Sequence, residues 1–361
     1  MNFIFICFLS IFVLLASFGW SIKVSRINST LSILFITFYS TFIGFRSSIS
    51  GSDTLSYINY FEDIKHGNSP AFGFEIGFEL LTRFFVLFDR VDIYIFFLTF
   101  SQMLLVYVAA CTLKLKNKIL VLILYVCYLP GLDMLSNATR GGLALSLGLP
   151  ILVFTVVRNR GSRVFNFLPL MFHSSYLILA INGLLSKRFS GYRLNFFLFS
   201  FSIFFFIFWL VFPPELIVRI ADGFSKEGSN VGKFARYLLL ERELLSFVVK
   251  MYFVFVSVVF SLFYISFSFV NRKIIEDDYL SRLAFVVMST QLLYAVVSFS
   301  EYSFRFMYLA YPIQVLMVCY IFENYFRTIY RPFWAFLLAF LGFSMTYTTK
   351  TFGAYELLYI F

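Results

Sequence analysis

The chain has 361 residues, of which 60% are hydrophobic, 22% aromatic and only 13% charged. So few polar side chains cannot cover the apolar surface of a water-soluble globule, which excludes a soluble domain and predicts an all-α polytopic membrane protein. The formal net charge of +10 comes from basic residues clustered between apolar runs, a pattern of membrane topology and not of nucleic-acid binding.

About twenty apolar residues cross a hydrocarbon core. Runs of that kind lie at 3–20, 31–45, 91–113, 119–135, 141–157, 194–212, 247–270, 283–299, 306–323 and 333–348, which predicts about ten transmembrane helices. The first run has no basic residue before it and no small-residue cleavage site after it, so it reads as a retained helix and not a removed signal peptide. Lys23 and Arg26, then Lys114, Lys116 and Lys118, then Arg158, Arg160 and Arg163 mark alternate connections as cytoplasmic. The first terminus is then outside, as are loops 46–90, 213–246 and 301–305, and residues 1–361 form a single membrane domain. Cys7, Cys111, Cys127 and Cys319 lack paired spacing and read as packing residues.

The run 164–185 has basic residues on both sides, so one full crossing would break the alternation. A re-entrant helical pair turning near His173-Ser174-Ser175 restores it, and broken backbone at membrane depth must be buried in protein or line a cavity. The run 119–135 is predicted as one continuous span.

Polar chemistry is concentrated between residues 45 and 83. Asp53 follows a Gly-Ser turn and reads either as a helix N-cap or as a site carboxylate. Tyr57, Tyr60 and Phe61 fall on one side of the following helix, where the rings either stack on sugar faces or lie at the interface. Glu75, Glu79 and Arg83 are spaced by four and predict a ladder on one helix face; Gly73 and Gly77 either permit close backbone approach or mark a loose turn. Arg46, Arg140 and Arg305 each sit near the outer end of an apolar run. Such an arginine either snorkels to headgroups or uses its planar fork to hold phosphate oxygens. His173 stands in an apolar run and reads as a packing residue or a catalyst. No His, Cys or carboxylate set has metal-ligand spacing, so neither metal nor cofactor is expected. No phosphate loop, nucleophile elbow or dinucleotide fingerprint is present.

Phe45-Arg46, Gly51-x-Asp53-x-x-x-Tyr57-x-x-x-Phe61, Glu75-x-Gly77-Phe78, Thr139-Arg140-Gly141-Gly142-Leu143-Ala144, Phe172-His173-Ser174-Ser175 and Arg305 occur in that order. Together they resemble the EpsG-type, Wzy-like polysaccharide polymerases of bacteria, with Gly141 where that family often has Gln. The resemblance implies a GT-C-like membrane glycosyltransferase that joins repeat units carried on undecaprenyl pyrophosphate, at the outer face of the cytoplasmic (inner) membrane, into O-antigen or exopolysaccharide. On this reading Arg46, Arg140 and Arg305 bind the substrate pyrophosphates, Asp53, Glu75 or His173 orients or deprotonates the acceptor hydroxyl, and Tyr57 and Tyr60 contact glycan. The implied partners are the lipid-linked oligosaccharides, the bilayer, a flippase and a chain-length regulator, with no nucleic acid. The competing readings are an O-antigen ligase, a lipid-linked oligosaccharide flippase or transporter, and a membrane acyltransferase, which rests mainly on His173 and leaves the arginines without a rationale.

Overall fold

A computed structural model of the chain describes residues 25–45, 53–69, 73–157, 163–211, 247–298, 304–327 and 329–351. The predicted first span at 3–20, Arg46, the Gly51-Ser52 turn, the cytoplasmic markers Lys23, Arg158 and Arg160, and loop 213–246 lie outside the described residues.

All regular structure among the described residues is helical. In chain order the α-helices are α1 (Ser25–Gly44), α2 (Thr54–Lys65), α3 (Ile76–Val86), α4 (Val91–Thr112), α5 (Lys118–Cys127), α6 (Leu129–Ser136) and α7 (Thr139–Leu152). They continue with α8 (Leu177–Phe189), α9 (Tyr192–Val211), α10 (Phe247–Val270), α11 (Arg272–Glu276), α12 (Asp278–Val296), α13 (Phe304–Tyr325) and α14 (Arg331–Thr351). A π-helical turn (Val153–Val157) ends α7, and two 3-10 segments, Arg163–Met171 and Ser174–Tyr176, lead into α8. Six of the helices are long and apolar enough to cross a membrane: within α1, α4, α9, α10, α12 and α13. Thr139–Thr155 and Arg331–Thr346 are apolar but shorter. The chain is therefore a multi-pass membrane protein.

The continuous span predicted at 119–135 is instead a corner: α5 and α6 meet at 85°. Tyr128 takes extended backbone at the break, and Pro130 lies in the first turn of α6, where a missing N–H leaves nothing unpaired. Gly131 lets the two arms fold tightly, because a Cβ there would collide with the Tyr125 carbonyl. The backbone groups freed by the bend are paired by side chains of distant helices. Leu129 N donates to the Tyr252 hydroxyl at 2.9 Å, the Cys127 carbonyl accepts from Thr346 Oγ1 at 2.9 Å, and the Leu124 and Tyr125 carbonyls accept from the Tyr311 hydroxyl. An apolar sequence can therefore bend inside the bundle without leaving polar backbone unsatisfied.

Helix α4 packs on α1 and α7, α12 on α9 and α13, and α13 on α10. The main core runs through these helices, with α5 buried along its whole length. A smaller aromatic core joins α2 and α3 to α4 through Tyr57, Tyr60, Phe61, Phe78 and Tyr94. This second core seats the polar segment around Glu75 against the start of α7.

Candidate functional site

Three segments far apart in sequence meet at the head of α7. Arg140, the second residue of α7, donates from Nη1 to Glu75 Oε2 at 2.9 Å. Glu75 Oε1 accepts from the backbone N–H of Ser174 at 3.2 Å. The Arg140 guanidinium also lies over the Phe74 ring, 4.3 Å from its centroid, a cation–π contact that fixes the plane of the fork. The Arg140 and Glu75 side chains remain 24% and 25% exposed, so the pair is held by protein yet open to a ligand.

Glycines make this approach possible. Glu75 is the extended residue just before α3 and makes no capping bond to its own helix, so its carboxylate is turned across to the other segments. A Cβ on Gly77 would stand 2.7 Å from the Met171 carbonyl oxygen, so only glycine lets α3 come close enough for Glu75 to reach Ser174. Gly142 plays the same part within α7, where a Cβ would strike Gln102 Oε1 and lie 2.7 Å from the Met134 carbonyl. A methyl group added at Gly73 would meet nothing within 4 Å, so Gly73 is not a packing glycine.

His173 stands in extended backbone between the two 3-10 segments, and its Nδ1 accepts from Ser175 N at 3.1 Å and from Ser175 Oγ at 2.7 Å. An amide N–H can only donate, so Nδ1 is the acceptor and the neutral ring carries its proton on Nε2. That edge of the ring faces the head of α7, with Nε2 4.0 Å from where a Cβ on Gly141 would sit. Burial lowers the His173 pKa from 6.5 to about 4; the positive charges of Arg140 and Arg305 add to the fall and Glu75 opposes it. His173 is thus a neutral hydrogen-bond donor at ordinary pH.

The sequence-predicted residues divide as follows. Arg140, Glu75 and His173 converge. Arg305, at the start of α13, is exposed and close enough for its charge to act on His173. Arg46 lies outside the described residues. Asp53 does not cap α2: its backbone is helical and its side chain makes no capping bond. Its N–H instead donates to Asn137 Oδ1 at 2.8 Å, and its charge acts on Tyr57.

Two expectations are corrected. The Glu75-Glu79-Arg83 ladder does not form, because Glu75 precedes the helix; Glu79 and Arg83 pair with each other at 2.7 Å on the exposed face. Tyr57 and Tyr60 do not offer ring faces to sugar: they are 5% and 4% exposed and pack against Phe74 and Phe78. Their contribution is positional. The Tyr57 hydroxyl accepts from Arg140 N at 3.3 Å, and burial followed by the Asp53 charge keeps it protonated by raising its pKa.

Sequence reasoning missed Phe74, Gln102, Asp133, Asn137 and Tyr308. Gln102 Nε2 donates to the Thr139 carbonyl at 3.2 Å and so steadies the first turn of α7. A lone Gln and a lone Asp inside apolar runs were the available signal, since polar groups in a span need a partner or a purpose.

No curated protein and no solved structure matches the chain. The EpsG family model matches residues 29–360, and because this match takes in every element of the site described above, the chain belongs to the EpsG family.

Proposed function

We propose that this protein is a polysaccharide polymerase, a membrane glycosyltransferase that builds O-antigen or exopolysaccharide from repeat units on undecaprenyl pyrophosphate at the outer face of the bacterial cytoplasmic membrane. Membership of the EpsG family supports a polymerase-type membrane protein. The observation that carries the finer reading is the convergence of Arg140, Glu75 and His173 in one partly exposed cluster. On this reading the chain crosses the membrane about ten times in a GT-C-like arrangement, with loops 46–90, 213–246 and 301–305 outside, and it works beside a flippase and a chain-length regulator.

In the step we propose, an acceptor hydroxyl oxygen forms a bond to the anomeric carbon of the donor glycan. The bond from that carbon to the pyrophosphate oxygen breaks, and undecaprenyl pyrophosphate leaves with the electron pair. The hydroxyl proton passes to Glu75, whose carboxylate gains basicity when the phosphate takes over donors of Arg140. Negative charge growing on the leaving oxygen is met by Arg140, by Arg46 and Arg305 on this reading, and by the Nε2–H of His173; donors already in place lower the barrier without reorganising. Asp53 remains a positional residue through its link to Asn137.

The test is deletion of the gene followed by gel analysis of surface polysaccharide, with complementation by wild type, Arg140→Ala and His173→Ala at matched protein levels. Collapse of the ladder to a core bearing a single repeat, restored by wild type and not by Arg140→Ala, is expected. Full-length polymer that never reaches the core would mean ligation, and loss of every repeat including the first would mean transport.

A further inference from the structure

Resting on the polymerase reading, we infer that Asp133 is the positioning residue that holds the Arg140 and Arg305 helices in register, through Asn137 on one side and Tyr308 on the other. Asp133 lies in α6, only 4% exposed. Its Oδ1 accepts from Asn137 Nδ2 at 3.3 Å, and its Oδ2 accepts from the Tyr308 hydroxyl. Its backbone carbonyl accepts from Asn137 N at 2.7 Å and Ala138 N at 2.9 Å, closing the corner between α6 and α7.

Each partner lies three residues from an arginine. Tyr308 follows Arg305 within α13, one helical turn on and near the same face, and Asn137 ends α6 in non-helical backbone just before the first turn of α7, which carries Arg140. Asn137 extends the chain to α2, because its Oδ1 accepts from Asp53 N at 2.8 Å; the adjacent Ser136 carbonyl accepts from Thr54 Oγ1 at 3.2 Å. One buried carboxylate therefore ties together α2, the α6–α7 corner and α13. A carboxylate buried at this depth is costly unless both oxygens are bonded, and bonding both is what fixes the spacing of its partners. Asp133 does not touch the proposed substrate.

The experiment measures polymerisation by purified full-length protein in nanodiscs, with lipid-linked repeat units as substrate and activity expressed per folded protein. If Asp133 positions the arginines, Asp133→Asn and Tyr308→Phe each lower kcat by about 10- to 100-fold with acceptor KM unchanged, since small misplacement of charge-stabilising groups acts on the transition state. Asp133→Asn, which keeps one acceptor oxygen, retains more kcat than Asp133→Ala. The double variant Asp133→Asn with Tyr308→Phe is no worse than the poorer single variant, because both remove one link. Full kcat in both single variants, or losses that multiply, would overturn the inference while leaving the polymerase reading intact. A wild-type protein that makes no polymer would remove the reading, and the inference with it. Should Asp133 variants not fold, Tyr308→Phe and Asn137→Asp decide the matter, as each alters one link and leaves the carboxylate in place.

Discussion

Gly77→Ala is the sharpest perturbation of the site, because it acts on a distance and removes no functional group. The added Cβ would stand 2.7 Å from the Met171 carbonyl oxygen and 2.9 Å from Met171 Cβ. Restoring ordinary contact at 3.4 Å opens that approach by 3.4 − 2.7, or about 0.7 Å. Taken up along the line between α3 and the 3-10 segment, the shift stretches the Glu75 to Ser174 hydrogen bond from 3.2 Å to about 3.9 Å, beyond bonding range. Overpacking of this kind costs about 1–3 kcal/mol of stability, which a membrane bundle with a large main core should tolerate. Misplacing Glu75 against Arg140 by most of an ångström should cost activity up to about 100-fold. The assay is the polysaccharide ladder of a complemented deletion strain, read beside the amount of protein in the membrane. Gly73→Ala, with nothing within 4 Å, serves as control and should leave the ladder normal. If Gly77→Ala gives a full ladder at normal abundance, the placement of Glu75 does not matter to function and the proposed site is wrong.

Other outcomes can be checked alongside. Arg140→Ala should abolish long chains, whereas Arg83→Ala, which breaks only an exposed pair with Glu79, should leave them unchanged; equal effects would deny Arg140 its special place. Gly142→Ala should lower abundance or Tm because it collides with Gln102, while Gly141→Ala meets only His173 at 3.8 Å and should be tolerated. His173→Gln, whose amide can present an N–H near the Nε2 position, should keep more activity than His173→Ala, measured as chain-length distribution. The His173 pKa in the fold, about 4, lies below its ordinary 6.5. The unfolded chain therefore binds the proton first, so this residue's contribution to stability is whole above pH 6.5 and is lost as pH falls from 6.5 toward 4. Thermal unfolding of wild type and His173→Gln should diverge only below pH 6.5; a difference confined to higher pH would reverse the assignment.

Much of this architecture could be read from residue order alone, for reasons that differ by element. Long apolar runs fixed the membrane helices because lipid allows so few backbone solutions, and α4, α9, α10 and α12 lie close to where they were expected. The corner at Tyr128 was hidden because its pairing groups, on Tyr252, Tyr311 and Thr346, are contributed by helices more than a hundred residues away. Local periodicity carries no such information. Arg140, Glu75 and His173 could be singled out because charge in an apolar chain is conspicuous. Their pairing could not, since the four-residue spacing of Glu75, Glu79 and Arg83 suits a helical ladder, whereas Glu75 lies just outside the helix. The burial of Tyr57 and Tyr60 escaped notice for a related reason: interfacial and packed tyrosines share one sequence pattern, and only the position of Phe74 and Phe78 separates them.

The bend at Tyr128 also constrains the order in which the protein can mature. Its freed amide and carbonyls are satisfied by α10, α13 and, through Thr346, by α14, and the Tyr128 hydroxyl in turn donates to the Leu338 carbonyl of α14 at 2.8 Å. An unpaired peptide group in hydrocarbon costs several kcal/mol, so the α5–α6 corner is favourable only once helices synthesised some two hundred residues later have docked. Arg140 lies just past that corner. The chain therefore inserts its early helices before the site exists, and helices that arrive late complete the geometry of a centre laid down in the first half of the sequence.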